Sequence, residues 1–330
     1  MSEITLVLIL VVALALLFDF SNGWHDAANA IATVVSTRVL SPTHAVLLAA
    51  TLNVAGAFMS TAVAKMVGGG IVEPSAVNQG AVCAALVGAL IWNLITLTLG
   101  LPTSSSHALL GGLVGAAFAQ GGMAAVKFSG LTTVLEALFL SPFMGFLVGY
   151  FLLVAIYWMT FRITRSVGNT LFRRLQLVSS SLMAFSHGSN DAQKVMGIIT
   201  LALVSGGLLD RVDVPTWVIV SCAVAMGLGT AIGGWRIIRT LGMGIVKMEP
   251  VHGFAAETSA AFILLGTAHF GLPVSTTHTI ASSILGVGSV NRFSAVRWGV
   301  SVRIVYAWLF TLPFAALMAY AVNPLFQLLH

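Results

Sequence analysis

The sequence predicts an all-α polytopic membrane protein built from two inverted repeats, with discontinuous helices and re-entrant hairpins. Three observations carry that expectation. Apolar residues make up 58% of the chain and charged residues only 8%, too little charge to cover a soluble domain of 330 residues. The octapeptide Phe20-Ser21-Asn22-Gly23-Trp24-His25-Asp26-Ala27 returns as Phe185-Ser186-His187-Gly188-Ser189-Asn190-Asp191-Ala192. A second one, Gly100-Leu101-Pro102-Thr103-Ser104-Ser105-Ser106-His107, returns as Gly271-Leu272-Pro273-Val274-Ser275-Thr276-Thr277-His278. The offsets are 165 and 171 residues, each about half the chain. Two motifs repeated in one order at nearly one shift mark an internal duplication.

The apolar runs fall at 4–31, 43–66, 80–99, 107–119, 132–160, 177–205, 215–235, 254–270, 277–288 and 299–321. Most are long enough for membrane helices and too long for barrel strands. The first begins beside an acidic residue and lacks a small-residue cleavage site, so it reads as a membrane helix rather than a signal peptide. The runs at 107–119 and 277–288 are too short to span alone. Each follows a proline-containing polar cluster, so each reads as half of a discontinuous or re-entrant helix. The division expected is a first repeat over 1–160, a basic connection over 161–176 and a second repeat over 177–330.

Charge gives the orientation. The connection carries Arg162, Arg165, Arg173 and Arg174, while its counterpart, the N-terminus, has Glu3 and no Lys or Arg. The loop with Arg236, Arg239 and Lys247 is basic, while its counterpart at 65–76 is not. Basic loops stay cytoplasmic, so equivalent loops lie on opposite sides and the repeats are inverted. That design places its site near the bilayer midplane. The net charge of +5 reflects this topology and not nucleic-acid binding. Cys83 and Cys222 lie within apolar runs and read as packing residues, not as a disulfide or metal pair.

The chemistry lies in the repeated motifs. Ser104, Ser105 and Ser106 in one half, and Ser275, Thr276 and Thr277 in the other, supply six hydroxyls. Where each cluster opens a helix, free backbone N–H groups and hydroxyls make an anion site, and Pro102 and Pro273 suit the helix entry. The competing reading is that these hydroxyls only cap the helices. Asp26 and Asp191 are costly in a membrane unless paired, protonated or bound to a cation. Gly23 and Gly188 allow local unwinding that frees carbonyls as ligands. Asn22, Asp26 and Asn29 share one helical face, and their oxygens, with Asp191 as the second metal ligand, suit hard cations such as Na⁺ or Mg²⁺. A carboxylate in a dry site can instead carry a proton.

The second copy holds Asn190 beside Asp191 and Lys194 where the first has Asn29. Lys194 either gives Asp191 a fixed positive charge or lies at a helix end and reaches the interface. Glu257 is either an intramembrane ligand or an interfacial residue. His25, His107, His187 and His278 flank the motifs as proton relays or as hydrogen-bonded structural residues.

With these motifs, including Asn22-Gly23-Trp24-His25-Asp26-Ala27-Ala28-Asn29-Ala30 and Gly188-Ser189-Asn190-Asp191-Ala192-Gln193-Lys194, the chain closely resembles the inorganic phosphate transporter (PiT) family over nearly its whole length. The resemblance implies a multi-pass secondary transporter of the cytoplasmic membrane, often a homodimer. Phosphate would lie between the Ser/Thr clusters, beside cation sites around the two Asp motifs. Two departures touch the coupling ion. The commonest family form has Asn-Asp where this chain has His25-Asp26, and sodium-coupled members tend to have Glu where this chain has Asn53. The pattern is similar to bacterial low-affinity members, which use protons and carry a neutral metal–phosphate complex.

The expected function is therefore phosphate symport coupled to co-transported H⁺, with Mg²⁺ or another divalent metal as part of the cargo and no resident cofactor. Na⁺ coupling and transport of another tetrahedral oxyanion such as sulfate are the alternatives. An anion channel is disfavoured by buried Asp residues and the lack of an Arg or Lys ring. An enzyme is disfavoured because neighbouring Ser106 and His107 point apart and no nucleophile–base pair is evident.

Overall fold

A computed structural model describes residues 3–327. Among these the chain is helical apart from short connections and one isolated bridge between Val72 and Val126. The first half runs through α1 (Glu3–Ser36), α2 (Pro42–Ala57), α3 (Ala62–Gly69), α4 (Gln79–Leu99), α5 (Ser105–Gly121) and α6 (Phe128–Thr160). The second runs through α7 (Arg165–Ser205), α8 (Thr216–Ile232), α9 (Trp235–Arg239), α10 (Pro250–His269), α11 (Thr276–Ser289) and α12 (Trp298–Phe326). The two series match in order. Each has a long helix, a bent pair, a helix turning back into a half-helix, and a final long helix.

The bends are 72° between α2 and α3 and 62° between α8 and the segment beginning with α9. The sequence alone reads α2 and much of α3 as one apolar run, 43–66, and ends the second run at 235, taking Arg236 and Arg239 of α9 as loop. By length and hydropathy five segments can cross a membrane, or seven if each bent pair is one span. Most of the basic connection is itself helix, since α7 begins at Arg165.

The duplicated Gly-Leu-Pro turns explain the half-helices. Gly100 takes φ +66° and Gly271 φ +70°, left-handed values that favour glycine. The Leu101 N–H then returns to the Thr96 carbonyl at 3.0 Å, and the Leu272 N–H to the Thr267 carbonyl at 2.9 Å. The chain reverses, and α5 and α11 start directly at the Ser/Thr clusters.

Packing exchanges the halves. Half-helix α5 lies against α12 and α11 against α6, while α8 lies against α1 and α2 against α7. Glycines permit the closest of these approaches. A Cβ on Gly23 would sit 2.3 Å from the Met226 carbonyl oxygen, and one on Gly188 would sit 2.1 Å from that of Asn53. Helices α1 and α7 continue unbroken through both glycines. The expected unwinding at Gly23 and Gly188 is thus corrected: their missing side chains admit a neighbouring backbone.

Helices α1 and α7 run antiparallel. Thr37 near the end of α1 donates to Gln176 in the early turns of α7 at 2.9 Å, and Arg173 donates to the Arg38 carbonyl at 2.9 Å. The connections α1–α2, α6–α7, α9–α10 and α11–α12 therefore gather at one end of the bundle, where Arg165 pairs with Glu249 at 2.8 Å. Eleven of the fifteen Lys and Arg residues lie in or beside these connections. The opposite end carries the Lys65–Asp213 and Lys127–Glu73 pairs at 2.9 and 3.1 Å. There Lys127 holds the Glu73 carboxyl below its ordinary value, and Lys65, with Arg211, does the same for Asp213. Exposed Phe139, Phe151, Leu309 and Leu317 on α6 and α12 form an apolar belt, as lipid contact requires.

Candidate transport site

The two Ser/Thr clusters meet in the middle of the bundle. The His107 and His278 rings, one turn into α5 and α11, lie 4.5 Å apart, and His278 stacks on Trp308 at 4.0 Å. The Trp308 indole donates to the Pro102 carbonyl at 2.9 Å, tying α12 to the turn that opens α5. Both helix N-termini, with their unpaired N–H groups, thus point into one region.

The acidic motifs enter the same region from α1 and α7. Asp26 accepts from Ser105 Oγ at 2.7 Å and from His25 Nδ1 at 2.7 Å, with Thr277 Oγ1 at 3.4 Å. Asn29 Nδ2 donates to Thr277 at 2.9 Å and to Thr276 at 3.3 Å. Asp191 accepts from Thr276 Oγ1 at 2.7 Å and from the Lys194 ammonium. Lys194 also donates to Ser106 Oγ at 2.5 Å and to the Val274 carbonyl at 2.8 Å. Asp26, Asn29, Asp191 and Lys194 are each no more than 2% exposed. The interfacial alternative for Lys194 is thereby overturned, because its ammonium ends inside the protein on three polar partners.

The six hydroxyls divide into two kinds. Ser104 and Ser275 cap their helices, each accepting from the backbone N–H of the histidine three residues on at 3.1 Å. Ser105, Ser106, Thr276 and Thr277 face the acidic motifs. Asn22 and Asn190 lie buried beside them, and Asn22 Oδ1 and both amide atoms of Asn190 have no hydrogen-bond partner.

Glu257 belongs to a separate cluster. It is fully buried on α10, which overturns the interfacial alternative. Its carboxylate accepts from Thr33 at 2.5 Å, from Gln176 at 3.0 Å and from Ser179. Thr33 lies one turn beyond Asn29 on α1, so this cluster sits between the central site and the basic end.

His187 is the site residue that sequence reading left among the flanking histidines. Atoms of Asp26, His187 and Asp191 all lie within 4.8 Å of one another. His187 Nε2 is 3.1 Å from Asp191 Oδ2 but not aligned for a hydrogen bond, while Nδ1 meets Asn53 Oδ1 at 3.0 Å. Its signal was its position, four residues before Asp191 on the same helical face. Two carboxylates and an imidazole suit a proton or a borderline divalent metal, whereas Na⁺ and Mg²⁺ favour all-oxygen shells.

Comparison with known proteins agrees with this architecture. The phosphate transporter family model matches residues 22–170 and 163–319. The chain belongs to the phosphate transporter family. A probable low-affinity inorganic phosphate transporter of Bacillus subtilis (strain 168) is 49% identical over 319 residues, covering 95% of this chain and 96% of the relative. One of Rhizobium meliloti (strain 1021) is 48% identical over 310 residues, covering 93% of each chain. A solved structure described as the sodium-dependent phosphate transporter superposes with a TM-score of 0.87 at 25% identity, covering 98% of this chain and 99% of that one. This member of the phosphate transporter family is a multi-pass membrane transporter and not an enzyme.

Proposed function

We propose that this transporter is a secondary active symporter that carries inorganic phosphate, alone or as a metal–phosphate complex, across the cytoplasmic membrane in company with protons. The observation that carries the reading is the convergence of two half-helix N-termini on one buried pair of carboxylates, Asp26 and Asp191, with Lys194 between them and Ser106. Helix N-termini favour tetrahedral oxyanions. Phosphate would take over the hydroxyls of Ser105, Ser106, Thr276 and Thr277, while Ser104 and Ser275 keep the helices capped.

Charge decides what must travel with it. Asp26 and Asp191 against Lys194 leave one net negative charge when the histidines are neutral. Adding phosphate deepens that deficit in a low-dielectric region, so positive charge must enter with the substrate. His25 touches Asp26 and His187 adjoins Asp191, so each carboxylate has an imidazole beside it with which it can share a proton. A divalent metal held by Asp26, His187 and Asp191 would supply the same compensation as cargo. Asn53 supports protons over Na⁺: where sodium-coupled members tend to carry Glu, this neutral amide meets His187 and donates to Thr230 at 2.9 Å.

The antiparallel run of α1 and α7 and the basic end of the bundle support inverted repeats, with that end cytoplasmic. Glu257 then lies on the cytoplasmic side of the site, placed to take protons as phosphate is released. Uptake of labelled phosphate into proteoliposomes, with unlabelled sulfate as competitor, tests the substrate. Uptake should continue under excess sulfate and stop under excess phosphate; equal competition would make this a general oxyanion carrier.

A further inference from the structure

Asp19 on α1 is a buried carboxylate that the transport site does not use. It is fully buried, and neither Oδ1 nor Oδ2 has a hydrogen-bond partner. The other buried acids differ sharply: Asp26, Asp191 and Glu257 each accept from two or more side chains. Asp19, Asn22, Asp26 and Asn29 follow one another at spacings of three, four and three residues, which keeps them on one helical face. At 1.5 Å per residue Asp19 stands about 10 Å from Asp26 along the axis, toward the end poor in Lys and Arg and away from Glu257.

The groups around Asp19 offer little compensation. Helix α8 brings the Cys222 thiol beside it, and α7 brings Asp191 within electrostatic reach. Asp191 is a like charge and makes no ion pair or hydrogen bond with it. The other titratable groups on the helices packed against α1 have no hydrogen bond or ion pair with Asp19. His187 and Lys194 on α7 are engaged with Asp191, and Arg165, Arg173 and Arg174 lie in the early turns of α7. The rest are exposed His44 on α2, Cys83 on α4, His107 on α5, Arg236 and Arg239 on α9, His252, Glu257 and His269 on α10 and His278 on α11. Among the described residues, no Lys, Arg or His makes an ion pair or hydrogen bond with Asp19.

A carboxylate whose one neighbouring donor is a weak thiol is not sustained as a bare anion inside a membrane protein. A hard cation would need a shell of several oxygens, and Asn22 Oδ1, one turn away, is the nearby unpartnered neutral oxygen on α1. A proton needs no shell. We infer that Asp19 is a proton-carrying residue on the outer side of the transport site. It takes a proton from the outer medium when the site opens outward and gives it up to the central cluster during transport. The deprotonated group is short-lived and reloads as the site reopens to the outer medium, so one proton crosses per cycle through it and no other bond changes. The inference rests on the proton-coupled reading above and adds the residue that loads first.

The test compares wild type, Asp19→Asn and Asp19→Glu in proteoliposomes. Each is assayed for phosphate counterflow without a gradient and for accumulation under an inward pH gradient. Loss of one coupled proton lowers the accumulation ratio by about tenfold per pH unit of gradient. Asp19→Asn should therefore show that drop relative to its own counterflow, and Asp19→Glu should not. If Asp19→Asn accumulates phosphate as wild type does, the inference falls while proton coupling stands. If wild type ignores the pH gradient, both fall. Should Asp19→Asn fail to assemble, infrared difference spectra of wild type and Asp19→Glu decide. A protonated-carboxyl band that moves between the two supports the assignment, and an unmoved band overturns it.

Discussion

Lys194 Nζ donates to Ser106 Oγ at 2.5 Å, so an ammonium from the second half ends on the hydroxyl cluster of the first. The same group pairs with Asp191 and reaches the Val274 carbonyl just before α11. One cation thus joins the openings of both half-helices, at the point where an anion would gain from both.

Removing this cation should expose how much it supports. Lys194→Met leaves Asp191 buried without its ammonium, and breaking a buried pair costs about 3–5 kcal/mol. Thermal unfolding in detergent should shift downward accordingly. The double variant Lys194→Met/Asp191→Asn should recover most of the loss and still not bind phosphate. Equal destabilisation of the single and double variants would show that the pair is not the reason.

The two carboxylates should be separately required. Asp26→Asn turns an amide toward Ser105 and His25, and Asp191→Asn does so toward Thr276 and Lys194. Hydrogen bonds to charged groups contribute about 1.5–3 kcal/mol each. Phosphate uptake in proteoliposomes should fall to background in either variant, while Asp26→Glu keeps part of it. Normal uptake by Asp26→Asn or Asp191→Asn would remove that carboxylate from the site.

Glu257 should matter for release more than for binding. Its two oxygens accept from Thr33, Gln176 and Ser179, and Glu257→Gln replaces one acceptor with a donor, at a cost of about 1–3 kcal/mol. Net uptake should slow more than phosphate counterflow. Equal slowing of both would place Glu257 in binding or folding instead.

The glycine contacts give a prediction independent of transport. Gly23→Ala and Gly188→Ala would drive a methyl into a neighbouring carbonyl, and such overpacking costs about 1–3 kcal/mol. Gly266→Ala on α10 meets nothing within 4 Å and should stabilise the helix by up to about 1 kcal/mol. Melting temperatures of the purified variants should separate in that order.

Much of this arrangement was legible because duplication doubles every signal. The Gly-Leu-Pro turns announced helix reversals, since the glycine needs a left-handed φ and the following polar cluster starts a helix. Asp26 and Asp191 stood out because charge in an apolar run demands a partner. The partners themselves were not legible. Ser106 meets Lys194, and Asn53 meets His187, across more than eighty residues through helices exchanged between the halves. The bend after α2 was missed because apolar residues continue across it, and α9 was missed because Arg236 and Arg239 make a short helix read as a basic loop. Gly23 and Gly188 were misjudged because glycine has two uses, and sequence does not say whether backbone freedom or a missing Cβ is the one in force.

Labelled-phosphate uptake in proteoliposomes, with pH, Na⁺ and Mg²⁺ varied independently, separates proton coupling from sodium coupling. With proton coupling, an inward proton gradient raises accumulation in the absence of Na⁺. Strict dependence on Na⁺ with no response to the pH gradient would contradict it.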